Sequence, residues 1–445
     1  MCWGWITHTR RSESLARSIV SHSKFHSKSH TALYSNETTS PSLSASRDRG
    51  AASCGARWVR QGTAAQFVRP EHRQPSDAPT ISAVAPRDSA LAGVTLVTIT
   101  GTNFSPVKEY NLVFFNASLG TVQQASATQL VVKAPLLIAD SVGLKVAVQG
   151  VELFSNAVLY KLVAAVKEFG TISGTVEEPF GVTCDTAGNV YVSLLSNVGS
   201  GLGVKKITPA GVRSDYSPPF STSVNKWNAM KIGPGGYLYA AANRNAVFRI
   251  PPGGGSAAPW ASVAGANVSL LYDFDFDPQG NIWGGGDNAN IVRVAPDRSV
   301  RGFPFSGNVY GVRYFQGFLY LATKNDTVWN IWRTRIVSAD SIGPRELYFN
   351  FTNRFGVAAG AYTITFAEDG DLLVGTDSVA GSIAVIHPDR TGEPFYPGLM
   401  KGRVQSLAYG KGVEMYAAQT GNTDALKRLL YVNTQKRSAP YYGRQ

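Results

Sequence analysis

The sequence has little cysteine, little charge and no long apolar run. Its 445 residues contain 3 cysteines, Cys2, Cys54 and Cys184, which cannot build a disulfide framework and match no metal-site spacing. No stretch reaches the ~18 apolar residues needed to cross a bilayer as a helix, so we predict no transmembrane segment. No secretory signal peptide is visible either. These absences exclude a disulfide-rich miniprotein and a helical membrane protein.

The formal net charge of +12 is concentrated at the start of the chain. The first 75 residues carry 11 Lys and Arg against 4 Asp and Glu, which leaves the remainder close to balanced. Nucleic-acid-binding domains show a basic patch on a folded surface, commonly interleaved with aromatics. Because the later sequence has no such cluster, we predict no nucleic-acid partner.

Residues 1–77 lack the periodic apolar pattern of folded segments. They are rich in Ser and hold five of the six histidines, His8, His22, His26, His30 and His72. Such a segment buries too little surface to offset the entropy of ordering, so we predict a disordered tail that the fold does not need. A loose metal-binding tract is the alternative. The tail fits either an organellar transit peptide or sequence upstream of the true start.

Glycine (45 residues) and aromatics (11%) are plentiful, which predicts many short strands joined by tight turns. From Pro79 onward, alternating apolar segments are separated by turn residues. The predicted strands are 80–84, 94–100, 111–115, 129–134, 143–149 and 157–162. They suit a sandwich of roughly 80 to 100 residues, which we place at residues 78–163. The fold class is therefore predicted to be all-β, beginning with an immunoglobulin-like sandwich.

Three segments occur in a specific order in this region. Residues 79–86 read PTISAVAP, residues 93–104 read GVTLVTITGTNF, and residues 125–135 read ASATQLVVKAP. In this order they resemble an IPT/TIG domain, an immunoglobulin-like fold with a GTNF turn after a Thr/Val/Ile strand. We expect Gly101 and Asn103 to take positive φ in that turn and Phe104 to fill the sandwich, so the motif is structural.

From residue 164 a repeat appears, made of an apolar strand, a glycine turn and a second strand that usually carries an aromatic. Its copies read DTAGNVY at 185–191, GPGGYLY at 233–239, DPQGNIW at 277–283, FQGFLY at 315–320, AEDGDLL at 367–373 and YGKGVEMY at 409–416. The turn glycines recur near the ~40 to 50 residues of propeller blades. We therefore predict a six-bladed β-propeller over residues 164–445.

The first blade carries a second resemblance. PFGVTCD at 179–185, GNVYV at 188–192 and KITPAG at 206–211 resemble the NHL repeat and the wider propellers related to gluconolactonases. Blade four departs most from it. An IPT/TIG domain followed by such a propeller is similar to bacterial surface or periplasmic proteins, which implies an extracytoplasmic location. Residues 166–170 and 438–442 both compete for the outer strand of the last blade.

Overlaying the six first strands identifies ring positions, because equivalent blade positions surround one axis. One position is mostly aromatic and holds Phe180, Asn228 (beside Trp227), Tyr272, Tyr310, Tyr362 and Gln405. The next position holds small or polar residues, Gly181, Ala229, Asp273, Gly311, Thr363 and Ser406. Two residues further on come Thr183, Lys231, Asp275, Arg313, Thr365 and Ala408.

These positions predict an aromatic rim above a narrow polar channel. Aromatic faces stack on sugar rings or clamp peptides at little ordering cost. We therefore predict a non-enzymatic binding protein whose propeller mouth engages a glycan or a peptide. The alternative is a water-filled channel in which Lys231, Asp275 and Arg313 only neutralise one another.

No catalytic or metal-ligating set is predicted, since the sequence has no G-x-S-x-G elbow and no P-loop. The resemblance to gluconolactonases implies a divalent metal held by a Glu, an Asn and an Asp at the mouth. Glu178 is suitably placed, but no Asn and Asp match the family motifs. A metal-dependent hydrolase or lyase is therefore the alternative function. His387 is expected in a solvated turn rather than as a catalytic base.

Asp273, Asp275 and Asp277 alternate along one strand and would share one face. Calcium is the ion that such oxygen ligands favour. Asp277, however, corresponds to the turn residue Asp185, which leaves two carboxylates where six or more oxygens are needed. We therefore predict no resident cofactor, with calcium as the one candidate.

Overall fold

The computed structural model describes residues 77–442 apart from 243, 288 and 289. Short β-strands joined by turns make up most of this part of the chain. The predicted disordered tail with its five histidines, and Cys2 and Cys54, falls on residues 1–76, outside the described residues.

Eight strands between Thr80 and Val163 form two sheets that face each other. They are β1 (Thr80–Ala85), β2 (Ala90–Leu91), β3 (Leu96–Thr102), β4 (Asn111–Phe115), β5 (Ser118–Ala125), β6 (Gln129–Lys133), β7 (Ala139–Val148) and β8 (Val158–Val163). One sheet has the order β1-β3-β6-β5 and the other β5-β4-β7-β8-β2, so β5 belongs to both. Alternate residues of the two sheets fill the core, as the period of two requires. The predicted immunoglobulin-like sandwich is confirmed.

The GTNF turn shows one expected conformation and one different one. Asn103 has φ of 60° and Phe104 is buried in the sandwich core. The prediction for Gly101 is wrong, because Gly101 does not take positive φ. Glycine is needed there for space, since a Cβ atom would lie 1.8 Å from the Thr80 carbonyl oxygen. The motif is therefore structural, through close strand packing at Gly101 and a left-handed turn at Asn103.

The remaining strands form six antiparallel sheets, the blades of a propeller. After β9 (Val166–Glu168), blade one comprises β10 (Glu177–Cys184), β11 (Val190–Ser196), β12 (Gly201–Ile207) and β13 (Arg213–Ser217). Blade two comprises β14 (Ala229–Ile232), β15 (Leu238–Ala241), β16 (Ala246–Ile250) and β17 (Ala258–Ser262), and blade three β18 (Leu270–Phe276), β19 (Ile282–Asp287), β20 (Asn290–Val294) and β21 (Val300–Pro304).

Blade four comprises β22 (Asn308–Phe315), β23 (Phe318–Asn325), β24 (Val328–Ser338), β25 (Ser341–Ile342) and β26 (Glu346–Asn350), followed by the helix α1 (Phe351–Phe355). Blade five comprises β27 (Thr363–Phe366), β28 (Leu372–Gly375), β29 (Ile383–Ile386) and β30 (Gly392–Pro394), and blade six β31 (Arg403–Tyr409), β32 (Glu414–Thr420) and β33 (Arg428–Asn433). Blade four departs most from the repeat, because its long β24 pairs with both β25 and β26.

The first strands of the blades, β10, β14, β18, β22, β27 and β31, contact one another in ring order, and β31 returns to β10. Of the two segments predicted as candidates for the outer strand of the last blade, the earlier one forms it: β9 pairs with β33 in blade six. The chain thus closes the ring by joining a strand from each end, and the predicted six-bladed propeller is confirmed. We call the face where the first strands begin the mouth and the opposite face the turn face.

The repeat turns lie on the turn face and explain the repeated sequence. Five of the six turn glycines, all but Gly412, have φ between 72° and 90°, which other residues rarely adopt. In blade three, the Asp277 carboxylate accepts hydrogen bonds from the backbone N–H of Asn281 and from the Trp283 indole, both near 2.8 to 2.9 Å. Asp185 does the same for Asn189 and Tyr191 in blade one. These residues therefore stabilise turns, and Asp277 does not join Asp273 and Asp275.

Candidate ligand-binding site

A β-bulge recurs at the mouth end of the first strands. The pairing with the second strand shifts by one residue around Phe180 and Gly181, and at Tyr272, Tyr310 and Gln405. Blades two and five show the same pattern in their hydrogen bonds. The N–H groups of Asn228 and Tyr362 each donate to the carbonyl of a residue on the second strand, and that residue pairs with the one that follows Asn228 or Tyr362. A bulge places an extra residue on one strand and re-aims its side chain. Each blade thus positions the aromatic-rich ring residue at the mouth.

The bulges allow consecutive residues to face one cavity on the propeller axis. Its lining comprises Asn228, Tyr272, Asp273, Tyr310, Tyr362, Thr363, Gln405 and Ser406. The cavity has a volume of about 190 Å³. The rim residues, from the extra bulge position, are half-buried, whereas Asp273, Thr363 and Ser406 are buried beneath them. We call this the mouth pocket.

Three tyrosines and one tryptophan form a continuous aromatic wall on one side of the mouth pocket. The ring centres of Tyr272 and Tyr310 are 5.3 Å apart, and those of Tyr310 and Tyr362 are 6.2 Å apart and nearly perpendicular. Trp329 of β24 packs behind them, 4.8 Å from Tyr310 and 5.2 Å from Tyr362. Such contacts hold the rings in place, because edge-to-face pairs are attractive beyond their buried area.

The edge of this wall carries charge. The Tyr362 hydroxyl donates to the Asp377 carboxylate at 2.8 Å, while burial, followed by this bond, raises the pKa of Tyr362. The Arg403 guanidinium lies 4.4 Å from the Tyr362 ring centre, within cation–π distance. Tyr362 is thus held at its edge by Asp377 and Arg403.

Arg313 crosses the channel beneath the mouth pocket. Its Nη1 lies 3.3 Å from Asp273 Oδ2 in blade three, and its Nη2 donates to the Leu407 carbonyl of blade six at 3.4 Å. Lys231 of blade two approaches Asp273 from the other side, with Nζ 3.8 Å from Oδ1. Asp273, Lys231 and Arg313 come from three blades and Arg313 reaches a fourth, so we call these three residues the crossbar. Asp273 is the crossbar residue that lines the floor of the mouth pocket, and Lys231 and Arg313 pair with it from beneath.

The two aspartates of β18 also fasten blade three to blade four. The carboxylates of Asp273 and Asp275 accept hydrogen bonds from the backbone N–H groups of Val312 and Tyr314, at 2.9 and 3.0 Å. Burial raises the pKa of Asp275, although Arg313 and Lys231 oppose that shift. The pKa of Arg313 is raised. Burial alone would lower it, but the neighbouring charges of Asp273 and Asp275 outweigh the effect of burial. Buried charges are tolerated when they are paired and hydrogen-bonded in this way.

A second, smaller cavity of about 30 Å³ lies below the crossbar. All six residues of the third ring position line it, namely Thr183, Lys231, Asp275, Arg313, Thr365 and Ala408. It shares no lining residue with the mouth pocket. The sequence-derived ring positions therefore divide between two cavities, one above and one below the crossbar.

The segment after β33 covers the lower cavity from the turn face. The Glu368 N–H donates to the Arg437 carbonyl at 2.8 Å, and Ser438 bridges to Ala367 in blade five. The Tyr441 hydroxyl bonds Thr365 and the Phe366 backbone, and the Tyr442 ring stacks on Phe276 of blade three at 5.2 Å. We call residues 435–442 the strap.

Two residues of the predicted binding site, Trp227 and Phe180, line neither cavity. Trp227 is 2% exposed and packs against Phe248 in blade two, so it is a core residue. Phe180 is 9% exposed and the Lys226 ammonium covers its ring at 3.8 Å from the centre. The mouth pocket is thus built by five blades and not by the whole ring.

The residues weighed for metal chemistry lie apart from one another. Glu178 bonds the Gly421 N–H at the mouth edge, while His387 lies on the turn face with Nδ1 2.9 Å from Asp371. Across the part of the chain that the structure describes, no three His, Cys, Asp or Glu side chains are grouped so as to hold a metal ion. The same residues contain no helix that is long and apolar enough to span a membrane.

Some residues of the site were not predicted. Trp329, Asp377 and Arg403 come from outside the overlaid positions, and Tyr441 comes from the strap. The sequence signal for Trp329 was the departure of blade four from the repeat. Tyr441 was seen only as part of a competing strand.

Comparison with known proteins identifies the first domain. Residues 79–162 match the model of the IPT/TIG domain, and the sandwich is an IPT/TIG domain. No curated protein matches the chain.

Several solved structures are similar to the chain. An auxiliary nutrient binding protein from Bacteroides ovatus is 13% identical, with 80% of this chain and 98% of that chain covered and a TM-score of 0.45. One from Bacteroides thetaiotaomicron is 12% identical, with the same coverage and a TM-score of 0.44. A protein of unknown function from that organism is 15% identical, again with 80% and 98% covered, and has a TM-score of 0.45. At these identities and TM-scores the matches are similarities, and no conclusion about function follows from them.

Proposed function

We propose that this protein is a non-enzymatic binding protein and that the mouth pocket engages a glycan. The observation that supports this most directly is the convergence of ring residues from five blades on one cavity, with Tyr272 and Tyr310 on its wall. Ligand sites combine aromatic surface with a few polar groups that fix orientation. Hydroxyl and amide side chains line the rest of the pocket, and these exchange hydrogen bonds with sugar hydroxyls in either direction.

The test is a binding screen of the full chain against glycans, with peptides as the other ligand class. Replacing Tyr272 or Tyr310 by Ala should weaken binding at least about tenfold, the level expected when a stacked aromatic contact worth roughly 1.4 kcal/mol is lost. Tyr237→Ala is the matched control, because Tyr237 lies in the repeat turn of blade two at the turn face. Binding that survives both mouth substitutions would refute the site. Binding of peptides without binding of any glycan would show that the ligand is a peptide and not a glycan.

The alternative function, a metal-dependent hydrolase or lyase, has a separate test. Glu178 accepts a hydrogen bond from the Gly421 N–H at 3.4 Å, and the mouth pocket has Asp273 as its one acidic lining residue. A hard cation at the mouth would need more oxygen ligands than these side chains supply. We expect ligand binding to be unchanged after exhaustive EDTA treatment, and metal-dependent turnover of a bound glycan would overturn the proposal.

An extracytoplasmic location accompanies this proposal. It rests on the resemblance of the IPT/TIG domain and propeller pair to bacterial surface and periplasmic proteins. Fractionation of cells with an antibody to the propeller tests it, and recovery of the protein in the cytoplasm alone would contradict it.

A further inference from the structure

The mouth pocket has a floor, and this limits which part of a ligand it can hold. Arg313 spans the axis from blade four to blade six, and Asp273 and Lys231 complete the barrier. Below it, Tyr441 of the strap lines the lower cavity and bonds the backbone of Phe366. A chain that threaded along the axis would have to displace these paired groups.

The size of the pocket points the same way. Its volume of about 190 Å³ is below the ~300 to 1,000 Å³ of pockets that enclose drug-sized ligands. A pocket of this size suits a single inserted sugar unit better than a longer stretch of glycan, the remainder of which would lie outside.

Charge restricts the inserted unit further. Asp273 is the one charged side chain that lines the pocket, and it is already paired with Lys231 and Arg313. Asp273 therefore already has two cationic partners, the buried Arg313 and the partly exposed Lys231. A ligand carboxylate inserted into the pocket would lie near the Asp273 carboxylate without a cation to pair with. An inserted ammonium group would compete with Lys231 and Arg313 for Asp273. Burying an unpaired charge is costly, so a neutral unit is favoured.

We infer that the mouth pocket binds the terminal, uncharged sugar of a glycan end-on. This inference rests on the proposed function and specifies its ligand. The buried hydroxyl groups of Thr363 and Ser406 would bond the sugar hydroxyls; the Ser406 oxygen accepts from the Val182 N–H, which leaves its hydroxyl proton able to donate. Tyr272 and Tyr310 would flank the ring.

The experiment presents matched glycan backbones to the full chain, each ending in a neutral hexose or capped by a uronic or sialic acid. Binding confined to neutral ends, with competition by the free neutral monosaccharide, is the expected result. Equal binding of capped glycans, or binding that ignores the terminus and is not competed by monosaccharide, would overturn end-on recognition while glycan binding stands. No binding to any member would refute the proposed glycan function itself.

Two threonines on β27 provide a matched pair of variants. Thr363 lines the mouth pocket and Thr365 lines the lower cavity, and both are nearly fully buried. Thr363→Val should weaken glycan binding by about tenfold, and Thr365→Val should leave the affinity within about twofold of wild type. Melting curves confirm that both variants are folded. Equal losses, or no loss in Thr363→Val, would contradict the inference.

Discussion

The two ends of the propeller channel are built from positions two residues apart in the same strands, yet they differ in almost every property. Above the crossbar, Thr363 and Asp273 line an open pocket edged by half-buried tyrosines. Below it, Thr365 and Asp275 line a small cavity that Tyr441 and Tyr442 cover. The bulge at the mouth widens the upper end, and the strap occupies the lower one. A propeller channel therefore need not be one site, because its two ends can serve recognition and stability separately.

The largest expected effect comes from breaking the barrier between the two ends. Arg313→Met removes the cation that both buried aspartates share, and an uncompensated buried charge costs about 3 to 5 kcal/mol of unfolding free energy. Chemical denaturation measures this. Lys231→Met is the control, expected to cost less because its Nζ is 3.8 Å from Asp273 and partly exposed. A larger loss in Lys231→Met would show that Arg313 is not the principal support.

A crossed pair of tyrosine variants tests the division of labour directly. Tyr441→Ala should lower the unfolding free energy by roughly 3 kcal/mol, as for other buried aromatic truncations, and leave ligand affinity unchanged. Tyr310→Ala should do the reverse, weakening binding more than stability. Denaturation and titration of both variants decide the matter. Loss of affinity in Tyr441→Ala would mean that the two ends are coupled.

The sandwich contributes to neither end of the channel. We propose that a chain beginning at Ala164, which keeps β9, folds as a propeller and binds ligand with unchanged affinity. The expected fall in melting temperature is small, no more than roughly 4 °C, which corresponds to about 1 kcal/mol for a domain of this size. Circular dichroism and titration check it. An unfolded product would show that the two cores depend on each other.

The smallest expected effect is on pH dependence and concerns the lower end alone. Asp371 bonds both His387 and Lys436 of the strap, and the bond to Asp371 raises the pKa of His387 above its ordinary value. A histidine with a raised pKa stabilises the folded state below its unfolded pKa of about 6.5 and loses this as pH rises through the folded pKa.

His387→Gln should therefore reduce stability by less than about 1 kcal/mol at pH 5.5, since the ring is a third exposed, and by less still at pH 9. Melting curves at the two pH values measure the difference. His387→Gln should not change the pH dependence of ligand binding, and a change there would contradict the separation of the two ends.

Periodicity predicted the parts of this fold that repeat. Alternation located β4 at its observed bounds, and overlaying the repeats selected six residues of the third ring position, all of which line the lower cavity. The apolar alternation did not predict β5. Gly120 and Gln124 break the alternation in this strand, which is shared between the two sheets. Patterns of this kind describe positions that many strands hold in common.

The candidate site was predicted less completely, because it depends on departures from the repeat. Overlay identified Tyr272, Tyr310 and Tyr362, but it also selected Phe180, whose ring Lys226 covers. Trp329 enters from the irregular blade four and Tyr441 from beyond the last strand. Such contacts join segments far apart in sequence, and no local pattern encodes them.

The way the ring is closed has a mechanical consequence. β9 is both the outer strand of blade six and the continuation of the sandwich, since two residues, Ala164 and Ala165, separate it from β8. A pull on the sandwich is therefore transmitted to the propeller through the three residue pairs that β9 makes with β33. The strand that closes the ring is thus also the connection between the two domains, and it is one of the shortest strands of the propeller.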